Sequence, residues 1–225
     1  LKRKYGVEVE VEAAPINYLE TIRKPATAIG KHVKQSGGHG QYGIAHIELS
    51  PLPRGEGFAF EDAIVGGVIP NRYIPAAEKG IKEAMRTGPL GGYPVVDVGA
   101  RLFDGKHHSV DSSDAAFQMA GILAFREAVA QAEPVLLEPL AEVVLTVPDE
   151  LTGAVMSDLS GRRGRIIGTD AAGDGRTHVR AHVPEAELTT FATEFRALTS
   201  GRGELSMEYS HHEEVPDAIA QRLLA

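Results

Sequence analysis

Residues 35–51 read QSGGHGQYGIAHIELSP, and the fold turns on what the glycines in this stretch do. GHGQYG at 38–43 has the G-x-G-x-x-G spacing of a dinucleotide-binding loop. That fingerprint works only where the glycines end a strand and open a helix, so that the helix N-terminal amides face a pyrophosphate. Here the continuation is IAHIELS, a period-2 pattern with Ile44 and Ile47 near its start, closed by Pro51 and Pro53, which reads as a strand. Residues 28–35, AIGKHVKQ, also read as extended, without a helical stripe. The glycines therefore join two antiparallel strands, where they permit positive φ and close backbone approach without naming a ligand. No G-x-x-x-x-G-K-[ST] run occurs in the chain, so a P-loop is missing as well.

The 225 residues suit one large or two ordinary domains, and 43% apolar with 24% charged residues is the composition of a globular protein. No apolar run approaches the ~20 residues of a membrane span. The absence of cysteine excludes disulfides, thiol catalysis and thiolate metal sites, and fits a cytoplasmic protein. The first residue is Leu1, and the chain runs without a capping signal into an alternation at Val7, Val9 and Val11, as expected of a piece of something longer.

The net charge of -8 argues at first against nucleic acid, whose binding is dominated by phosphate neutralisation. The charge is uneven, however. From Thr21 to Ile47 there is no acid, while Arg23, Lys24, Lys31 and Lys34 stand with His32, His39 and His46; from Val135 to Ala225, 15 acids face 8 bases, all arginine. The Gly-rich hairpin is a locally positive projection on an acidic body, and local potential outweighs the sum.

The pattern predicts extended segments at 18–23, 28–35, 41–49, 58–65 and 95–103. A helix over 72–88 carries the apolar stripe Ile74, Ala77, Ile81, Ala84 and Met85, with Pro75 in its first turn and Gly88-Pro89 as its stop. A second helix follows VDSS, where Asp111, Ser112 and Ser113 are all possible N-caps, and AAFQMAGILAF at 115–125 is apolar nearly all round, the mark of a buried helix. A strand between two such helices points to βαβ organisation. After 134 the elements run strand (140–147), helix (149–159), strand (165–170), strand (177–183), helix (185–198), strand (203–210), with Gly173 and Gly175 turning the hairpin. This is the βαββαβ order of a ferredoxin-like fold. RNA-recognition modules share that order, but 140–147 and 177–183 hold no aromatic residue on which bases could stack.

Several blocks, read together, carry a resemblance: ETIRKP (20–25), KQSGGHGQYG (34–43), AIVGGVIPNRYIPAAEKGI (63–81), GPLGGYPVVDV (88–98), HHSVDSSDAAF (107–117), SGRRGRIIG (160–168) and GRGELSMEYSHHEEVP (201–216). In this order and spacing the whole chain closely resembles the C-terminal part of bacterial elongation factor G, the ribosomal translocase. The resemblance implies an α+β protein in which residues 1–12 finish a third domain, 13–134 form the fourth and 135–225 the fifth. It further implies a left-handed βαβ crossover in the fourth domain and a ferredoxin-like fifth. GTP and Mg would belong to an N-terminal domain that this chain lacks, so the parent factor is expected to be a GTPase and the chain itself to hold no catalytic or cofactor site.

The resemblance also assigns residues. The hairpin tip, Ser36, Gly37, Gly38, His39, Gly40 and Gln41, would enter the decoding region of the small subunit and meet the tRNA-mRNA duplex. A second tip loop would add His107 and His108, with His108 on the family's functional histidine. The family usually has Arg where His39 stands and often an aromatic residue where His107 stands. Arg162 and Arg163 in SGRRG would contact rRNA near the factor-binding centre of the large subunit, since an Arg cluster suits phosphate oxygens. The implied partner is the ribosome, with no membrane, for a monomer acting in translocation during elongation. A paralogue specialised for ribosome recycling, rescue or antibiotic protection is the alternative, and a free-standing enzyme using GHGQYG as a cofactor loop is a third reading. His107 and His108 with Asp104 and Asp111, or His211 and His212 with Glu213 and Glu214, read better as polar surface than as metal shells.

Overall fold

A computed structural model describes residues 15–35 and 40–225. The strand expected at 7–12 and the piece of a preceding domain expected at 1–12 lie outside the described residues. Two compact units are present, one of Tyr18–Leu137 with His212–Ala225, the other of Glu138–His211.

The first unit contains β1 (Leu19–Ile22), β2 (Ala26–Lys34), β3 (Gln41–Pro51), β4 (Phe58–Asp62), α1 (Ile74–Ala84), β5 (Val98–Lys106) and α2 (Asp114–Gln131). Strands β2 and β3 pair antiparallel as the alternation required, with Lys34 opposite Gln41. Their sheet has the order β2-β3-β5-β4. Strand β5 runs antiparallel to β3 and parallel to β4, so β4-α1-β5 is the expected βαβ crossover. All five residues of the α1 stripe are buried, and the helix is shorter than 72–88 because a 3-10 turn, Asn71–Tyr73, precedes it. Strand β5 starts three residues later than expected. Asp97, at φ 58, breaks the extended run, and Val96 instead donates its N–H to Glu20 O at 2.9 Å.

Helix α2 is covered twice, by the sheet and by α1, which accounts for most of its apolar residues; Met119 and Leu123 remain exposed. Phe117 and Phe125 are fully buried, each worth about 1.5–3 kcal/mol relative to exposure. The helix reaches the sheet over Gly30 and Gly43. A Cβ on Gly30 would stand 1.8 Å from Ala120 O, and one on Gly43 2.8 Å from Ala116 O. Of the three possible caps Ser113 is the one used, its Oγ accepting from Ala116 N at 3.2 Å.

The second unit follows the ferredoxin-like order: β6 (Pro134–Pro148), α3 (Thr152–Gly161), β7 (Arg165–Gly173), β8 (Arg176–Pro184), α4 (Phe191–Leu198) and β9 (Glu204–Glu214). Strand β8 lies antiparallel between β6 and β7, and β9 pairs with β6. Alternate residues Val143, Leu145 and Val147 of β6 face Val155 and Leu159 of α3 and Phe191 and Phe195 of α4 in one core. The first residues of β6 belong to the other unit, where Leu137 opposes Leu19 and Pro134 opposes Ile22 of β1.

Residues beyond His211 pack with Tyr18–Leu137, because Val215 donates its N–H to Leu136 O at 2.9 Å and Arg23 binds Glu214 at 3.0 Å and Asp217 at 3.5 Å. A short helix, α5 (Asp217–Leu223), closes this stretch.

Candidate nucleic-acid interface

Antiparallel pairing brings two sequence-distant loops to one end of the first unit's sheet. Strand β5 ends at Lys106 opposite Ile44, close to the start of β3, so residues 107–113 emerge beside the stem of the β2–β3 hairpin. The two segments are then joined by hydrogen bonds. Gly40 N donates to Asp111 Oδ1 at 3.0 Å, Tyr42 N to Asp111 O at 2.9 Å, and Ser112 Oγ to Tyr42 O at 2.7 Å. Ser112 Oγ accepts in turn from His108 N at 2.9 Å, and Ser112 O accepts from the Tyr73 hydroxyl at 2.9 Å. Tyr73 is itself stacked on Phe117 in the core, at a centroid distance of 5.0 Å. Asp111 and Ser112, expected as helix caps, serve as the seam between the loops.

Gly40 and the other glycines of GHGQYG that the structure describes thus have a packing reason. A Cβ at Gly40 would meet the Asp111 carboxyl carbon at 2.9 Å, and Gly43 admits the first turn of α2. Ser36, Gly37, Gly38 and His39 lie outside the described residues.

Gln41 is exposed, yet its Oε1 lies 2.7 Å from Nε2 of His32. His32 is 6% exposed. In the sequence it stands among the positive residues, and its alternation with Ala28 and Gly30 on the buried face of β2 is the signal that it points inward. His108 is half exposed, with its ring 5.9 Å from that of Tyr42. Its Nδ1 accepts from Val110 N at 3.3 Å and Asp111 N at 3.2 Å, and Asp111 Oδ2 lies 3.3 Å away. His107 diverges from its neighbour, its Nδ1 being 3.0 Å from Val68 O. Of the cations in the acid-free stretch, Arg23 is bound to Glu214 and Asp217 and Lys24 to Glu133. Hydrogen bonding to Glu214 raises the Arg23 guanidinium above its ordinary pKa.

The two arginines of SGRRG, expected as an rRNA contact, are each held by carboxylates. Arg162 donates from Nε to Asp158 Oδ2 at 2.9 Å and from Nη1 to Glu187 O at 3.0 Å, pairs with Glu194, and lies over the Phe191 ring at 5.0 Å. Arg163 binds Glu138 through both Nη atoms, at 2.6 and 2.8 Å, and Glu187 Oε1 through Nε at 2.9 Å. The hydrogen bond to Glu138 is the main reason its guanidinium is raised above the ordinary arginine range, against the effect of burial. Both groups are neutralised by carboxylates of their own unit, so a phosphate would have to displace those partners. Among the described residues no group of three or more His, Asp or Glu side chains gathers as a metal shell.

Residues 14–133 match the family model of elongation factor G domain IV, and residues 135–223 that of the elongation factor G C-terminus. The chain is 55% identical over 224 residues to the elongation factor G of Aquifex pyrophilus, covering 100% of the chain and 32% of that protein. It is 50% identical to an elongation factor G-like protein of Thermotoga maritima, again over 100% of the chain and 33% of the relative. A third relative, an elongation factor G-like protein of Mycobacterium tuberculosis, is 48% identical, over 100% of the chain and 32% of the relative. A crystal structure of a Thermus thermophilus protein matches 99% of this chain and 33% of its own, at a TM-score of 0.89 and 46% identity. The chain therefore spans about a third of the length of the curated relatives it matches.

Proposed function

The chain belongs to the elongation factor G family, and from that premise we propose that it is the ribosome-engaging region of a translational GTPase that promotes tRNA-mRNA translocation during elongation. The observation that carries this reading is the seam between Gly40, Tyr42, Asp111 and Ser112, which sets Gln41 and His108 at one end of a sheet. Residues 36–41 with His107 and His108 form the contact with tRNA and mRNA in the decoding region. Backbone amides and the Gln41 and His108 side chains supply hydrogen bonds to nucleic-acid oxygens. The second unit faces the large subunit near the factor-binding centre, with the SGRRG turn held rigid by its carboxylates. GTP and Mg act in a part of the factor outside this chain, which acts as a monomer in the cytoplasm.

The test is to replace Gln41 or His108 with Ala in a full-length factor carrying this chain. Translocation should slow while ribosome-stimulated GTP hydrolysis continues at nearly the unaltered rate, and wild-type translocation in both variants would overturn the assignment. A paralogue for recycling, rescue or antibiotic protection is the second reading. It draws on His39 and His107, where the family usually has other residues, and on the two relatives named elongation factor G-like. Wild-type translocation with impaired subunit splitting in the same variants would favour it.

A further inference from the structure

A carboxamide is ambiguous as a recognition group, because one end accepts and the other donates. At Gln41 a buried neighbour meets one end of the carboxamide. His32 lies on β2 opposite Gly43, so it shares the helix-side face with Gln41, and its Nε2 meets Gln41 Oε1 at 2.7 Å. With hydrogen on Nε2 of His32 this contact turns the Gln41 oxygen inward, and no described residue takes the Gln41 Nε2. The His108 ring has a matching polarity. Two backbone N–H groups point at its Nδ1, so the neutral ring carries its hydrogen on Nε2.

We infer that His32 is a positioning residue that fixes the Gln41 carboxamide with its amide N–H pair outward, so that Gln41 and the Nε2–H of His108 present donors only and select acceptor oxygens of a nucleic-acid backbone, phosphodiester or ribose. This rests on the nucleic-acid reading of the site and adds the direction of its hydrogen bonds. A donor-only pair is indifferent to base identity, because every nucleotide offers the same backbone oxygens, which suits a site that must accept any tRNA and codon. His32 achieves this without touching the ligand. It lies beneath the site, 6% exposed.

Two measurements test the inference. Long-range 15N correlation spectra of the histidine rings of the 225-residue chain report which nitrogen carries hydrogen. Hydrogen on Nε2 is expected in both His32 and His108. A lone pair on Nε2 of His32 would require Gln41 to donate inward and show its oxygen, and a lone pair on Nε2 of His108 would make that ring an acceptor; either result overturns the inference. The second measurement compares Gln41→Glu with Gln41→Ala in the full-length factor. The carboxylate can still accept from His32 but has no donor and repels phosphate; both variants lose the donor, so translocation should fall below that of Gln41→Ala by the repulsion alone, roughly tenfold or more for like charges about 4 Å apart in a partly desolvated site. Equal or faster movement with Gln41→Glu overturns it. His32→Leu should match Gln41→Ala in rate, and the double variant should be no slower than either single one; additive losses would mean that His32 acts only through stability. If Gln41→Ala itself moves tRNA normally, the functional reading fails, while the ring spectra still decide the hydrogen-bond direction.

Discussion

Gly40 and Asp111, 71 residues apart in sequence, are joined by a hydrogen bond of 3.0 Å from the glycine N–H to the aspartate Oδ1. The same aspartate accepts Tyr42 N–H through its main-chain oxygen at 2.9 Å and places its other carboxylate oxygen beside His108. One residue therefore holds the hairpin stem, the second loop and the entry to α2 in register.

Replacing Asp111 with Ala removes the acceptor of Gly40 N–H and leaves the main-chain bond to Tyr42. The loss should be about 1 kcal/mol, that of one hydrogen bond at a half-buried site. The amide signals of Gly40 and His108 should shift together in an NMR spectrum of the variant while those of α1 stay in place. Movement of only one of the two would show that the loops are not coupled through Asp111. Gly40→Ala reaches the same seam from the other side, since its Cβ would stand 2.9 Å from the Asp111 carboxyl.

Gly30→Ala should be far more damaging than Gly40→Ala. The new Cβ would face main chain, Ala120 O at 1.8 Å and Ala124 N at 2.6 Å, and neither can rotate away. Helix α2 must lift from the sheet, so a loss at or above the usual 1–3 kcal/mol of overpacking is expected. Thermal unfolding monitored by circular dichroism reads this directly, and an unchanged Tm would mean that α2 is not seated on Gly30.

Gln41 and His108 differ in what truncation costs the fold. With little packing beneath them, either could be replaced by Ala at a loss within ~0.5 kcal/mol. His32 changes this for Gln41, because truncation leaves a buried ring N–H without its acceptor, so about 1 kcal/mol is expected. Denaturant unfolding of Gln41→Ala beside Gln41→Glu, which keeps the acceptor, separates the two cases.

The parts of the fold that were legible in the sequence are those whose signal is local. The α1 stripe repeats at helical spacing, the proline and glycine punctuation isolates the β2–β3 hairpin, and the strand and helix order after 134 gives the second unit. The loops that Asp111 and Ser112 join were not legible as a pair from periodicity, since nothing local records that β5 ends opposite Ile44; the resemblance supplied that proximity. His32 was hidden for a different reason. A histidine in a positive stretch looks the same whether its ring faces water or a partner side chain, and only the register with Gly43 settles which. The ion pairs of the SGRRG arginines with Glu138, Glu187 and Glu194 were not legible for the same cause, since those carboxylates lie 24 to 32 residues away; only Asp158, four residues from Arg162, is local.

Arg163→Ala tests that local role. Glu138 is buried, its side chain 4% exposed, and Arg163 is its bidentate partner. Removing the cation strands a buried carboxylate, for which about 3 kcal/mol is expected, the lower end of the range for broken buried pairs because the arginine is a quarter exposed. The double variant Arg163→Met with Glu138→Leu should recover most of that loss. Ribosome binding as a function of salt then separates a structural strut from a phosphate contact, since each lost phosphate contact would flatten the log K against log salt slope by roughly 0.7–0.9.

Glu20 offers the strongest test of how the first unit is held together. Its carboxylate is fully buried and accepts three main-chain N–H groups, Leu90 at 3.0 Å through Oε2 and Gly91 and Tyr93 at 2.9 and 3.1 Å through Oε1. The GPLGGYP turn thus folds around one side chain of β1, and the main chain of Glu20 adds bonds to Pro94 O and from Val96 N. Glu20→Ala leaves three buried donors without acceptors, at about 1 kcal/mol or more each, so a loss of about 3 kcal/mol is expected. Glu20→Gln should fall between that variant and the wild type. Its single oxygen can replace Oε1 and keep Gly91 and Tyr93, but its amide then opposes the Leu90 N–H. Hydrogen exchange distinguishes the two patterns: protection should fall at Leu90, Gly91 and Tyr93 in Glu20→Ala and chiefly at Leu90 in Glu20→Gln. Unchanged protection of all three amides in Glu20→Ala would show that the turn holds its shape without the carboxylate.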